Sequence, residues 1–134
     1  MKLRYPYVAK TSSSFGIIPT AAFWLYIYSP KGYLPLSFLF DTGSDVTSLP
    51  ASVAQKLGVN LANCPKEVMS GYEGSEVEVY KSQIRINFGD KNFLIPCVFN
   101  LNPNAPTILG RAGIFNKFII VLDGKNKEIT FEEI

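Results

Sequence analysis

Phe38-Leu39-Phe40-Asp41-Thr42-Gly43-Ser44-Asp45 decides the reading of the chain, because an apolar run stops abruptly at a carboxylate and gives way to a tight turn of small residues. Leu36, Phe38 and Phe40 alternate with Ser37 and Leu39, so both faces of the strand read as largely buried and Asp41 is delivered to the edge of the apolar interior. An ionised group at that depth is costly unless something pairs with it. Thr42 adds a hydroxyl that donates and accepts, Gly43 permits close backbone approach or a positive φ, and Ser44 adds a second hydroxyl within reach of the carboxylate. The loop reads as a device that holds one carboxyl group rigidly among hydrogen bonds.

Apolar-apolar-Asp-Thr-Gly-Ser resembles the catalytic loop of the aspartic proteases. The three-residue string alone is weak, since many turns contain it by chance, and its surroundings give it weight. Ile108-Leu109-Gly110-Arg111 stands where that family carries an apolar-apolar-Gly segment running into a short helix, and Gly71-Tyr72-Glu73-Gly74 lies between the two. Spacing and length together resemble the retropepsin-like branch, the single-lobe enzymes typified by retroviral proteases. The resemblance covers residues 21–134 and leaves residues 1–20 as an N-terminal extension, unassigned or covering a sheet edge. It implies an all-β fold, a retropepsin-like acid protease β barrel with one or two short helices.

Composition narrows the chemistry independently. A chain of 134 residues suits one domain with a single modest core. Lys plus Arg number 13 against 11 for Asp plus Glu, and the basic residues are scattered, so no basic field recruits nucleic acid. The sequence has no histidine, which removes the usual base for a Ser or Cys nucleophile and the commonest metal ligand. Carboxylates remain. The two cysteines, Cys64 and Cys97, are too few for a zinc site without histidine, and they read as buried thiols in a reduced compartment or as one disulfide in an exported protein. Tyr5-Pro6-Tyr7 and Lys10 interrupt the apolar core that a signal peptide needs, which favours a cytoplasmic location. Residues 11–30 carry no charge, but four serines, two threonines and Pro19 dilute them; only residues 21–28 are strongly apolar, enough for a strand and too few to span a membrane.

Periodicity predicts a hairpin of residues 22–28 and 34–40 around Pro30 and Gly32, with Asp41 at its exit. Residues 46–49 are extended, and Pro50 leads into a short helix over 51–57 closed by Gly58. Val77, Val79, Ile84, Ile86 and Phe88 alternate with polar residues, a turn at 89–92 follows, and residues 93–99 return. A second short helix is expected at 111–115, then strands at 118–122 and 128–131 joined through Asp123-Gly124.

Aspartic proteolysis needs two carboxyl groups close enough to share a proton. This chain supplies one such loop, so the resemblance implies a homodimer with Asp41 and its mate on a two-fold axis, polypeptide as substrate, and neither metal nor organic cofactor. Asp41, Thr42 and Gly43 are the catalytic candidates, with the Thr42 hydroxyl bracing the neighbouring loop across the axis. Ser44 and Asp45 line the substrate side, and Gly71, Tyr72, Glu73 and Gly74 form a flap or an exposed hairpin tip. Ile108, Leu109, Gly110 and Arg111 are structural, with Arg111 clamping Asp45 in a partly buried, two-point ion pair. Ala112 and Gly113 depart from the family's usual residues after Gly-Arg. The resemblance also offers residues 129–134 as a terminal strand pairing between subunits. Two rival readings stand beside this: a non-catalytic dimerisation or peptide-binding module that keeps the fold, and a β-rich interaction domain whose Asp41 merely caps a turn.

Overall fold

In the computed structural model, which describes residues 2–70 and 74–134, the apolar alternation resolves into twelve strands. They are β1 (Lys2–Pro6), β2 (Val8–Ser12), β3 (Gly16–Thr20), β4 (Ala22–Ser29), β5 (Gly32–Phe40), β6 (Thr47–Pro50), β7 (Lys66–Ser70), β8 (Glu76–Phe88), β9 (Lys91–Asn100), β10 (Ile108–Leu109), β11 (Phe118–Asp123) and β12 (Glu128–Glu133). Phe23, Leu25 and Ile27 of β4 are buried while Trp24, Tyr26 and Tyr28 between them face outward, the period-two pattern of a strand with one wet face.

Seven strands form one sheet in the order β4-β5-β10-β6-β9-β8-β7. Its ends meet, because β4 also pairs with β8 at Tyr26↔Asn87 and Ile27↔Ile86, so the first six strands close into a barrel around Phe38, Leu49, Ile86, Phe99 and Leu109. The length of β8 permits this: its start pairs with β7 (Ser70↔Glu76 to Lys66↔Tyr80) and its end with β4. This is the all-β, retropepsin-like fold that the sequence implies.

A second sheet, β1-β12-β11, closes the bottom of the barrel. Tyr5 from β1 stacks 5.0 Å from Phe23 and 5.9 Å from Phe131, and Phe131 lies 5.2 Å from Phe88, so a chain of rings joins the two sheets. Each such pair adds roughly 0.5–1.5 kcal/mol beyond area burial. Burial pushes the Tyr5 hydroxyl pKa upward. The last strand is not at an edge, as the terminal-strand expectation requires: β12 lies between β1 (Leu3↔Phe131) and β11 (Ile120↔Phe131), so both its ladders are occupied within the chain. Strands β2 and β3 pair as a ribbon exposed along almost its whole length.

The helical elements are 3-10 turns at Ala51–Val53 and Leu61–Asn63. Gly58, at φ +73, ends the first region, and Pro30 Cγ stands 2.6 Å from where a Cβ on Gly58 would sit. The helix expected at 111–115 is a single turn, in which Ile114 and Phe115 N–H both donate to the Arg111 carbonyl at 3.0 Å. Gly113 at φ +80 breaks it. Among the described residues no helix is long and apolar enough to cross a membrane.

Candidate functional site

The end of β5 is gripped from both sides before the chain turns. Leu39 N–H donates to the Thr107 carbonyl (2.9 Å), Phe40 N–H to Ala21 (2.8 Å) and Asp41 N–H to Leu109 (3.1 Å), while β10 lies parallel to β5 with Leu109 opposite Phe40. These bonds fix where the Asp41 backbone stops. Gly43 N–H then donates to Asp41 Oδ1 at 2.9 Å and Ser44 N–H to the Asp41 carbonyl at 3.2 Å, closing the turn on the carboxylate. Asp41 is half-buried, and its Oδ2 has no hydrogen-bond partner among the described residues. One oxygen is held and the other is presented. Gly43 suits the turn because a Cβ there would stand 3.3 Å from Asp41 Oδ1.

Thr42 is exposed and borders a cavity of about 240 Å³ that it shares with Phe40, Phe115, Phe118, Ile120 and Leu122. Ser44 departs from the expected geometry: its hydroxyl donates to the Val46 carbonyl at 2.9 Å rather than to the carboxylate. The hydroxyl thus satisfies backbone two residues ahead, and the bond stiffens the exit from the loop.

The second loop is joined to the first chiefly by backbone. Arg111 N–H donates to the Ser44 carbonyl (3.0 Å) and Ala112 N–H to the Asp45 carbonyl (2.9 Å). Arg111 Nη2 also bonds Asp45 Oδ1, so the two residues do meet. The contact is one-point and wet, with the Asp45 side chain 81% exposed and that of Arg111 45% exposed, in place of the partly buried fork that the sequence suggests.

Gly110 is where the two loops nearly touch, and the residue opposite it was not singled out by sequence reasoning. Thr47 is fully buried at the start of β6, and its Oγ1 accepts the Gly110 N–H at 3.1 Å. The signal was a hydroxyl residue opening a strand otherwise sided by Val46 and Leu49, which reads equally as β-propensity. Ile108 pairs with Leu39 and Ser48 and Leu109 is buried, so this segment forms the floor under Asp41.

Of the hairpin-tip candidates, Gly71, Tyr72 and Glu73 lie outside the described residues. Gly74 is exposed at φ +74, and the arms on either side pair as β7 and β8. Among the described residues no three His, Cys, Asp or Glu side chains converge in a way that could hold a metal ion. Chemically, then, the site offers one positioned carboxylate, a neighbouring hydroxyl and an apolar groove.

A family model described as aspartyl protease matches residues 29–112, which contain both loops. In fold the chain is similar to a retropepsin-like aspartic protease from Rickettsia conorii, with a TM-score of 0.65, 16% identity, and coverage of 98% of this chain and 90% of that one. It is also similar to EIAV protease complexed with the inhibitor HBY-793, with a TM-score of 0.53, 22% identity, and coverage of 69% and 82%. No curated protein matches the sequence.

Proposed function

The chain belongs to the aspartyl protease family, and from that membership we propose that it is a homodimeric endopeptidase hydrolysing peptide bonds with a water held between two Asp41 carboxylates. The observation that carries the reading is the Asp41 carboxylate itself, fixed through Oδ1 by the Gly43 N–H and with Oδ2 left unbonded among the described residues. One such group is half of the required pair. Asp45, the other acid of the loop, is engaged by Arg111, so the second carboxylate is supplied by another copy of Asp41.

In the pair, one carboxylate is ionised and removes a proton from the water as its oxygen attacks the scissile carbonyl carbon. The other is protonated and hydrogen-bonds the carbonyl oxygen, which becomes a hydroxyl of the tetrahedral intermediate. Collapse breaks the C–N bond, and a carboxyl proton passes to the departing nitrogen. Because one member of the pair must be ionised and the other protonated, cleavage follows a bell-shaped dependence on pH. Ser44 and Asp45 border the substrate.

The test is cleavage of a diverse peptide library read by mass spectrometry, with Asp41→Asn as the control. Wild type yields defined products and the variant loses at least about 100-fold in turnover. Cleavage that survives Asp41→Asn rejects the mechanism, and a folded dimer that cleaves nothing returns the chain to a peptide-binding role.

A further inference from the structure

Residues 8–33 hold eight of the sixteen exposed large apolar or aromatic side chains found among the described residues, yet carry no charge except Lys10 and Lys31. Single exposed apolar residues are ordinary; a concentration of them is not. The extreme cases stand on the β2-β3 ribbon, where Phe15 at the turn is 81% exposed and Ile17 is 75% exposed. Register sets Ile17 opposite Thr11 and Ile18 opposite Lys10, so the two isoleucines point to opposite faces of the ribbon. A protein partner laid on one face would leave the other wet, whereas a medium that surrounds the ribbon covers both. The tip is also prepared for such a medium, because the Ser14 and Phe15 N–H groups both donate to Ser12 Oγ, at 3.3 and 3.2 Å. Backbone donors satisfied locally cost less to take out of water.

Charge points the same way. All 11 acidic residues lie at or beyond Asp41, while Lys2, Arg4, Lys10 and Lys31 precede it. At the root of the ribbon the Tyr7 N–H donates to the Lys127 carbonyl at 2.8 Å, and Lys127 borders a cavity of about 330 Å³ that it shares with Ile17. The acid of that turn, Asp123, is occupied within it by the Lys125 and Asn126 N–H groups. We propose that the β2-β3 ribbon is a membrane-docking arm: Phe15, Ile17 and Ile18 enter the boundary between headgroups and acyl chains of an anionic bilayer, and Lys10 and Lys127 face its phosphates. Each strand of the ribbon has five residues, about half of the 9–11 that a crossing strand needs, so the arm docks on the bilayer and does not span it. On β4, which follows in the chain, Trp24, Tyr26 and Tyr28 face outward, the residue types that settle at headgroup level. The arm goes beyond the protease reading and does not depend on it.

The experiment is co-sedimentation of the full chain with vesicles of phosphatidylcholine and phosphatidylglycerol in a two-to-one ratio, and with vesicles of phosphatidylcholine alone. Near-UV circular dichroism reports folding. Wild type binds the mixed vesicles, and binds the neutral ones at least about tenfold more weakly. Phe15→Ser and Ile17→Ser each lower the partition coefficient on mixed vesicles by about tenfold. Lys10→Glu weakens binding to mixed vesicles by a similar factor and leaves the neutral ones unaffected, which keeps the test open should an apolar variant misfold. Ile134→Ser removes a side chain 79% exposed beside Glu132 and Glu133, and leaves binding unchanged. Wild type that stays in the supernatant with mixed vesicles overturns the assignment, as does binding that the Phe15, Ile17 and Lys10 variants all retain. Self-association without lipid that Phe15→Ser abolishes would give the ribbon to a second copy of the chain and reject the bilayer.

Discussion

Gly110 and Val46 come so close that a Cβ on Gly110 would sit 2.4 Å from both the carbonyl carbon and the carbonyl oxygen of Val46. The constraint is space rather than dihedral freedom, because Gly110 has no positive φ and an alanine could adopt its backbone. Backbone cannot rotate out of the way as a flexible side chain can. Gly110→Ala therefore forces apart the two loops that meet beneath Asp41, at a cost of roughly 3 kcal/mol. Urea unfolding reads the loss directly; a destabilisation under about 1 kcal/mol would mean that the loops separate easily.

Thr47 gives the same junction its hydrogen bond. Replacing it by valine keeps the shape and leaves the Gly110 N–H buried without an acceptor, which costs about 1–3 kcal/mol. Thr47→Ser restores the oxygen and loses only a methyl. Stability should rank wild type first, serine second and valine last, and a valine variant as stable as the serine one would show that the bond contributes nothing.

Ser44 separates what the sequence suggests from what the fold builds. A hydroxyl donating to the ionised carboxylate would lower the acidic limb of the activity profile, and Ser44→Ala would then move that limb upward. Since the hydroxyl bonds the Val46 carbonyl instead, Ser44→Ala should leave the limb in place and reduce stability by about 1 kcal/mol. A pH profile of peptide cleavage for the two proteins decides between these outcomes.

Arg111→Lys should also be milder than the sequence implies. The Arg111–Asp45 contact is exposed, and the loops stay tied through the Arg111 and Ala112 backbone N–H groups, so the change costs less than about 1 kcal/mol. Thermal unfolding of Arg111→Lys and Asp45→Asn tests this, and a large loss in both would restore the clamp.

Burial period made the barrel legible. Phe23, Leu25, Ile27, Ile84, Ile86 and Phe88 announce their strands because each has one buried and one wet face. The same logic explains why most of residues 1–20 stayed unassigned: β2 and β3 are exposed on nearly every residue, so no face is selected. The helix expected at 111–115 stops after one turn because Gly113 takes a positive φ, at a place where a Cβ would stand 3.0 Å from Ile95 Cγ2. The Asp41 turn was readable because Asp, Thr and Gly act locally. Thr47 and the direction of the Ser44 hydroxyl depend on chain brought in from elsewhere or on a choice between two acceptors, neither of which spacing encodes.

Cys97 offers a prediction on a different scale. It is buried on β9, and burial first, with nearby Cys64 adding to it, pushes its thiol up from the usual 9 to about 12. The folded chain therefore keeps this proton where the unfolded chain has released it. The resulting stability is fully present below pH 9 and is lost as pH rises through the window from 9 to about 12. Tyrosines and lysines titrate in the same range, so the quantity to measure is the difference between wild type and Cys97→Ala in urea unfolding at successive pH values. Within the window wild type should lose stability faster, by about 1 kcal/mol per pH unit. Thiol labelling at neutral pH gives the companion result: half-buried Cys64 reacts in the native protein, and Cys97 reacts only after unfolding. Rapid native labelling of both thiols, or parallel pH curves for the two proteins, would place Cys97 in contact with solvent.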